Sequence, residues 1–321
     1  MRALVTGASG HIGSFVVRRL LEVGADITVL VRPTSDLWRL QDPFLSDVLH
    51  EVEVCVVDFS DPGALQDAVA ESRPNVVYHL AWGGITAGER SASEQISHNV
   101  TNTLSLLEAT KRSGCHCFVG VGSQAEYSER GLANVDWSQL MERGDVESYS
   151  AYGLAKLCCG LLAQKFCETS GMRGVWLRLL ATYGPQDDER HLLPWVINQL
   201  LEGRKPALTS GEQRWDYLFV SDAASAIVAA GLTPDACGIF DLGSGRAPKV
   251  RELVEQARDI IDPQLPLGLG ELPYRSGQIM HLQADLSPLL QHIQWEPRTD
   301  LADGLERTIA WHRAQKAVLT S

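Results

Sequence analysis

The sequence lacks the features that mark membrane proteins, nucleic-acid-binding proteins and zinc proteins. No apolar run approaches the ~18 residues of a spanning helix, and the first strand-like run begins at residue 2, so we expect no membrane span and no leading signal segment. Acidic residues (40) outnumber basic residues (28), and the net charge of −12 argues against a nucleic-acid partner. The seven cysteines are scattered without zinc spacing, so we expect no metal site and a reducing, cytoplasmic environment.

Short apolar runs rich in β-branched residues alternate with longer stretches of helical periodicity through the first half of the chain. The runs are 2–7, 26–32, 51–58, 75–81, 117–123 and 174–180. Strands that are apolar almost throughout and are separated by helices predict a parallel sheet covered on both faces. We therefore predict an α/β fold with a doubly wound parallel (Rossmann) sheet.

The first of these runs leads into a glycine-rich turn, TGASGHIG, at residues 6–13. Gly7 permits a tight turn, Gly10 lets a backbone approach a pyrophosphate, and Gly13 allows a helix to pack closely on a strand. The N-terminus of the following helix offers free N–H groups to an anion. The pattern predicts a dinucleotide site, and its residues on this loop are Gly7, Ser9, Gly10, His11, Ile12 and Gly13.

The end of the second run indicates which dinucleotide binds. NAD sites usually place an acidic residue there for the ribose 2′-hydroxyl, whereas an arginine accommodates a 2′-phosphate. Here Arg32 occupies that place with Ser35 nearby, so we predict NADP(H) as the favoured cofactor and NAD(H) as the alternative. Asp58 and Phe59 end the third run, where we expect them beside the adenine.

After about residue 184 the alternation of strands and helices loosens, and proline and glycine become frequent. We assign residues 1–183 and 216–245 to the dinucleotide-binding domain. Residues 184–215 and 246–321 form, by the same prediction, a smaller and mostly helical lobe that binds the substrate.

A tyrosine and a lysine stand four residues apart in SYSAYGLAKLCCG, residues 148–160. On a helix, Tyr152 and Lys156 would share one face. Such a pair also arises by chance, so its meaning depends on the motifs around it.

With the glycine loop and VGSQAEY at 121–127, this pair resembles the extended short-chain dehydrogenase/reductases. More narrowly, the chain resembles the nucleotide-sugar epimerase, dehydratase and ketoreductase superfamily. The resemblance covers nearly the whole chain, and its further motifs are HLA (79–81), NVTNTLSLLEA (99–109), LRLLATYGP (177–185), DYLFVSDAASAI (216–227), FDLGSG (240–245) and WEP (295–297).

The resemblance implies roles for particular side chains. Tyr152 would be the catalytic acid/base, Ser123 would orient the substrate carbonyl, and Asn99 would help to hold the lysine and a water. A free tyrosine titrates near ~10, and the resemblance implies that Lys156 and an oxidised nicotinamide lower the pKa of Tyr152. The cofactor would also contact Leu80, Ala81, Trp82 and Lys156.

One departure narrows the reaction. The related 4,6-dehydratases carry an Asp-Glu pair directly after the active-site hydroxyl residue, and here those positions are Gln124 and Ala125, which cannot transfer the protons of a dehydration. In this superfamily epimerases usually retain NAD and reductases more often use NADPH, so Arg32 favours a reductase. We therefore predict NADPH-dependent reduction of a keto group on a nucleotide-linked 6-deoxy sugar. The alternatives are an NAD-dependent nucleotide-sugar epimerase and a non-catalytic NADP-sensing regulator.

The resemblance also indicates how the substrate and a second copy of the chain would bind. The predicted partner is a nucleotide-diphosphate keto-sugar, and the residues proposed to contact it are Trp82, Gln124, Glu126, Arg214 and Arg275. Guanidinium groups suit a diphosphate because they pair with it bidentately. A homodimer is implied through the helical stretches 92–112 and 151–169.

Overall fold

The computed structural model describes residues 1–84, 88–128, 150–275 and 278–319. The strands are β1 Arg2–Thr6, β2 Asp26–Val31, β3 Glu53–Val56, β4 Val76–His79, β5 Cys117–Val121, β6 Arg173–Leu179, β7 Ala181–Tyr183, β8 Ala207–Leu208, β9 Arg214–Trp215, β10 Tyr217–Phe219, β11 Gly238–Leu242, β12 Gly268–Leu269 and β13 His281–Leu282.

The α-helices are α1 His11–Glu22, α2 Pro62–Ser72, α3 Thr101–Arg112, α4 Ala125–Ser128, α5 Ala151–Ser170, α6 Leu192–Leu201, α7 Val220–Leu232, α8 Val250–Ile261, α9 Ser287–Leu290 and α10 Leu301–Leu319. A 3₁₀ turn covers Leu49–Glu51, and a π-helical turn, Gln95–Val100, runs directly into α3.

Seven parallel strands form the central sheet in the order β11-β6-β5-β4-β1-β2-β3. The predicted parallel sheet is confirmed. All six predicted strands are present within a residue or two of their limits, and β11 falls in the segment 216–245 that we assigned to the same domain. The strand order reverses between β1 and β4, and ligands of such sheets bind outside the carboxyl ends of the strands at that point.

Both faces of the sheet are covered by helices, which explains why its strands are apolar almost throughout. On one face α1 and α7 pack over alternate residues of the strands, such as Val5 and Val119. On the other face α2, α3 and α5 pack over their neighbours, such as Leu4 and Phe118. Because successive side chains of a strand point to opposite faces, each buried strand needs apolar residues at both parities.

A separate apolar cluster holds the later helices together. It joins α6, α8 and α10 through buried residues such as Ile197, Leu253 and Ile309. The small sheets β8–β12 and β9–β13 lie in the same part of the chain. The residue limits of the two domains remain a prediction. Across the described ranges, no helix is both long and apolar enough to cross a membrane.

Candidate active site

A cleft of about 1020 Å³ crosses the carboxyl ends of the central strands. The predicted site residues on its wall are Gly7, Ser9, Gly10, His11, Ile12, Gly13, Arg32, Ser35, Asp58, Phe59, Leu80, Ala81, Trp82, Asn99, Ser123, Gln124, Tyr152, Lys156 and Arg275. Two predicted residues, Glu126 and Arg214, lie off this wall.

At two positions of the glycine loop, any residue other than glycine would clash with nearby backbone atoms. Gly7 has φ +76°, and a Cβ there would lie 2.6 Å from the backbone nitrogen of Ala81. A Cβ on Gly13 would overlap the carbonyl oxygen of Gly7, so α1 starts as close to β1 as a backbone allows. Gly10 caps α1 without a side-chain hydrogen bond, which leaves the first-turn N–H groups available to an anion. The loop therefore fits a dinucleotide pyrophosphate.

A second arginine joins Arg32 beside this loop. Arg32 is exposed at the end of β2, and its backbone N–H donates to the Ser35 hydroxyl at 3.1 Å. Arg39 also lines the cleft, and its guanidinium donates to the carbonyl oxygens of Gln186 (3.0 Å) and Ser9 (3.3 Å). Arg39 was not predicted, because it lies in the connection after β2, where no periodicity marks a residue that turns back to the glycine loop.

The start of α5 positions the tyrosine of the predicted pair. The Ser150 hydroxyl caps this helix by accepting the Gly153 N–H at 3.1 Å. Tyr152 is buried and hydrogen-bonds the side chain of Ser123. Burial raises the pKa of Tyr152, and the hydrogen bond with Ser123 and the charge of Arg90 oppose this rise only in part.

The lowering of the Tyr152 pKa by Lys156 together with an oxidised nicotinamide stays a prediction, and the contacts of Lys156 in this structure are with other groups. Lys156 is buried, its Nζ donates to the carbonyl oxygen of Val121 at 2.6 Å, and it lies 3.9 Å from the ring centre of Trp82. Burial lowers the pKa of Lys156 to about 8, although the charge of Glu126 opposes this fall. The Lys156 ammonium therefore interacts with the Val121 carbonyl and the face of the Trp82 ring rather than with the Tyr152 phenol.

Asn99 lies on the cleft wall with Lys156, and its role in holding the lysine and a water stays a prediction. Its side chain pairs with the backbone of Gly83, accepting from the N–H (2.9 Å) and donating to the carbonyl (3.0 Å). The Asn99 side-chain amide also donates to Gln95 Oε1, and the backbone carbonyl of Asn99 accepts from the Thr103 hydroxyl. These bonds belong to the π-helical turn, which the sequence did not predict and which fixes the loop after β4.

The structure corrects the predicted placement of Glu126. We expected it to contact the sugar, but only 3% of Glu126 is exposed, because the short helix α4 folds it back beneath Ser123. Its Oε1 accepts from the Ser123 N–H at 2.8 Å and from the Trp176 indole N–H at 3.3 Å.

The two candidate phosphate ligands lie in different places. Arg275 lines both the cleft and an adjoining pocket of about 380 Å³. Arg214 is exposed on β9 and donates to the carbonyl of Ala247 at 3.3 Å. Its neighbour Trp215 lines the cleft instead and donates to Gln124 Oε1 at 3.2 Å, because successive residues of a strand point to opposite sides.

A buried carboxylate joins the glycine loop to α6. Asp187 lies 3.3 Å from His11 Nδ1 and 2.8 Å from His191 Nδ1. Burial disfavours its charge, but the two histidines hold the pKa of its carboxyl far below the usual range. The hydrogen bond with Asp187 in turn raises the pKa of His191. Of these three residues only His11 was predicted, because the contact joins segments far apart in the sequence.

The loop before the π-helical turn brings a cation to the tyrosine ring. Arg90 lies with its guanidinium carbon 5.1 Å from the ring centre of Tyr152, and its carbonyl accepts the Tyr152 N–H at 2.9 Å. No motif pointed to Arg90. Among the residues that the structure describes, no group of three or more His, Cys, Asp or Glu side chains could hold a metal ion.

Known proteins resemble this chain over nearly its whole length. Residues 3–243 match the sequence model of the NAD dependent epimerase/dehydratase family. A protein of Streptomyces niveus named dTDP-glucose 4,6-dehydratase is 28% identical over 99% of this chain and 94% of its own length. A UDP-glucose 4-epimerase of Corynebacterium glutamicum is 27% identical, over 98% of this chain and 96% of its own length.

Solved structures with the same fold cover the whole chain. A UDP-N-acetylglucosamine 4-epimerase from Methanobrevibacter ruminantium M1 superposes with a TM-score of 0.82 at 24% identity, covering 98% of each chain. A UDP-glucose-4-epimerase from Stenotrophomonas maltophila with bound NAD gives the same TM-score and identity, covering 99% of each chain. At this identity the likeness establishes the fold.

Proposed function

The chain belongs to the NAD dependent epimerase/dehydratase family, and on that premise we propose that it reduces a keto group on a nucleotide-linked 6-deoxy sugar with NADPH. The observation that carries the proposal is the basic end of β2, where Arg32, Ser35 and Arg39 line the cleft. Two guanidinium groups and a hydroxyl favour the 2′-phosphate of NADP(H) over the free hydroxyl of NAD(H). A preference for NADPH in turn favours a reductase over an epimerase that retains NAD.

The cleft offers groups for each part of a ketone reduction. When bound, the cofactor would supply a hydride to the carbonyl carbon. Tyr152 donates its phenol proton to the carbonyl oxygen, so the ketone becomes an alcohol and the tyrosine a phenolate that later regains a proton from solvent. Ser123 orients that oxygen. Burial raises the pKa of Tyr152, so the phenol holds its proton at neutral pH and is available as the donor, but the same shift makes it a weaker acid.

The residues after Ser123 do not support a dehydration. Gln124 Oε1 accepts from the Trp215 indole, and an amide transfers no proton at neutral pH. Ala125 has no polar side-chain group. The 4,6-dehydratase name of the Streptomyces niveus relative therefore does not extend to this chain under our proposal.

The pocket beside the cleft supports a nucleotide-linked substrate. Its wall includes three aromatic side chains, Trp195, Trp215 and Tyr217, and two arginines, Arg251 and Arg275. Aromatic faces suit a nucleobase, and guanidinium groups suit a diphosphate. Because Trp215, Tyr217 and Arg275 also line the cleft, one ligand could span both spaces.

The alternative function is an NAD-dependent nucleotide-sugar epimerase. The names of several relatives favour it, including UDP-glucose 4-epimerase and dTDP-L-rhamnose 4-epimerase. An epimerase needs Tyr152 first as a base and then as an acid, and the same side chains could serve both steps.

We also propose a homodimer through the helical stretches 92–112 and 151–169. The π-helical turn packs against α5, and Ile96 and Leu161 remain 55% and 56% exposed on these elements. Exposed apolar side chains on two elements that pack together favour a protein interface. The cytoplasmic location stays a prediction.

The test is oxidation of NADPH or NADH by the purified protein with dTDP- or CDP-4-keto-6-deoxyglucose, followed by nicotinamide absorbance. We expect faster oxidation of NADPH and a fall in kcat of about 100-fold or more in Tyr152→Phe, because the proton donor is lost. Tyr78→Phe is the matched control, since it removes a buried hydroxyl that donates to the Val228 carbonyl. No oxidation of either cofactor, together with NAD retained through purification, would favour the epimerase.

A further inference from the structure

Glu126 is a buried carboxylate that the proposed reaction does not use. One of its oxygens, Oε1, accepts both the Ser123 N–H and the Trp176 indole N–H, and α4, which carries Glu126, packs on α5. Trp176 fits here because glycines surround its ring, and a Cβ on Gly160 would lie 2.7 Å from the indole nitrogen. Glycines thus leave room for the hydrogen bond between the Trp176 indole and the Glu126 carboxylate.

The charges that face Glu126 come from α5 and β6. They are the Lys156 ammonium and the Arg178 guanidinium, and Arg178 is also paired with Asp241 at 2.8 Å. Glu126, in contrast, is the carboxylate whose charge favours the ammonium form of Lys156, and within the described residues no second carboxylate acts on this lysine in the same way. The other groups around Lys156 are the Val121 carbonyl, the rings of Trp82 and Trp176, the Cys159 thiol and the buried imidazole of His79.

Burial makes a charged lysine costly at this position. An isolated ammonium in a protein interior loses its hydration and tends to become neutral unless an opposite charge lies nearby. Burial lowers the pKa of Lys156 to about 8, and the charge of Glu126 acts in the opposite direction. The same charge also adds to the rise in the pKa of Tyr152, which burial causes first, and so favours the protonated phenol.

We propose that Glu126 is a positioning residue of the active site, whose Oε1 fixes the turn that carries Ser123 and whose charge keeps Lys156 an ammonium. Its role in catalysis rests on the proposed function, whereas its effect on Lys156 does not. A buried carboxylate that anchors the Ser123 N–H and acts on Lys156 through its charge needs no contact with the sugar, in agreement with the position of Glu126 off the cleft wall.

Two substitutions separate the two parts of this role. Glu126→Gln keeps an oxygen acceptor for the Ser123 and Trp176 N–H groups and removes only the charge. Glu126→Leu removes the acceptor as well. Glu168→Gln is the matched control, because it removes the same charge from the exposed C-terminal end of α5.

The first measurement reads Lys156 directly. The chain has only six lysines, so ¹³Cε-lysine NMR gives a small set of signals, and Lys156→Met identifies the one to follow through a pH titration. We expect the Lys156 midpoint to move to lower pH in Glu126→Gln and to stay unchanged in Glu168→Gln. An unchanged midpoint in a folded Glu126→Gln protein would overturn the proposal.

The second measurement is the pH profile of kcat for NADPH oxidation. Lys156 lines the cleft with Tyr152 and Ser123, so we expect the rate to depend on its charge. The alkaline limb should then move to lower pH in Glu126→Gln, because a Lys156 midpoint that is lower by one pH unit leaves about a tenth as much charged lysine at any pH above both midpoints. Glu126→Leu should in addition lower the plateau by about tenfold or more, because Ser123 loses its anchor. Equal plateaus in the two variants would overturn the anchoring role. If the wild type oxidises no NADPH, the proposed function fails, and the NMR titration still decides the effect of Glu126 on Lys156.

Discussion

The two ends of the cleft are built in opposite ways. At the glycine-loop end, the surface of residues 7–13 is backbone, left bare by glycines and by a helix start without a side-chain cap, and the side chains of Arg32 and Arg39 lie beside it. At the α5 end (Ser123, Tyr152, Lys156 and their neighbours), the surface is made of buried side chains whose charges depend on one another. A backbone site tolerates almost no added volume, whereas a side-chain site tolerates volume better than a change of charge.

The sharpest test of the glycine-loop end is Gly13→Val. A Cβ at Gly13 meets the carbonyl of Gly7, so we expect the free energy of unfolding to fall by about 3 kcal/mol and dinucleotide binding to be lost. Urea denaturation and a cofactor titration measure the two effects. In the control Gly10→Ala the new Cβ lies 3.2 Å from the Gly7 carbonyl, and stability should change by about 1 kcal/mol or less. A Gly13→Val protein as stable as the wild type would contradict a volume-limited loop.

The same contrast explains what the sequence could predict. The glycine loop and the strands depend on local conformation, which leaves a signal in residue spacing, and the structure confirms the strands within a residue or two. The pair Tyr152 and Lys156 could be located because i and i+4 meet on any helix. The partners of that pair could not, because Glu126 and Trp176 meet it from separate segments through packing.

A similar limit applies at the glycine-loop end. Arg32 was predicted from its place at the end of β2, but Arg39 reaches the loop through a connection of irregular structure. Asp187 follows Gln186, a non-glycine residue with φ +67°, and no spacing rule predicts that conformation. Sequence reasoning therefore found the elements that carry the site and missed the contacts between them.

Arg32→Glu tests the charge at the glycine-loop end and should have the next largest effect. We propose that Arg32 pairs with the 2′-phosphate of NADP(H), so kcat/KM for NADPH should fall about 100-fold, while that for NADH changes little. Steady-state kinetics with both cofactors measure the ratio. Arg112→Glu is the control, because α3 ends there just before the amino end of β5, whereas Arg32 follows the carboxyl end of β2. An unchanged ratio in Arg32→Glu would remove the main support for NADPH and favour the epimerase.

Asp187→Asn tests the contact between the glycine loop and α6, where charge acts beside the backbone surface, and its effect should be the smallest. The substitution keeps the size of the side chain but removes the carboxylate charge that both His11 and His191 contact. The free energy of unfolding should fall by about 1 kcal/mol, a modest value because His191 is half-exposed. Asp187 has a depressed pKa, so its contribution is present above about pH 4, the unfolded value, and is lost as the pH falls further. His191 has a raised pKa, so its contribution is complete below about pH 6.5 and is lost as the pH rises through the folded value.

The difference in stability between wild type and Asp187→Asn should therefore be largest between about pH 4 and 6.5 and decline on both sides. Urea denaturation across this range measures it, with Asp303→Asn as the control, since Asp303 pairs with Arg307 on the exposed surface of α10. A difference that does not vary with pH would mean that Asp187 acts through its shape alone. The stability of the contact between the glycine loop and α6 would then depend on side-chain volume, as at the glycine loop itself. It would not depend on charge, as the α5 end does.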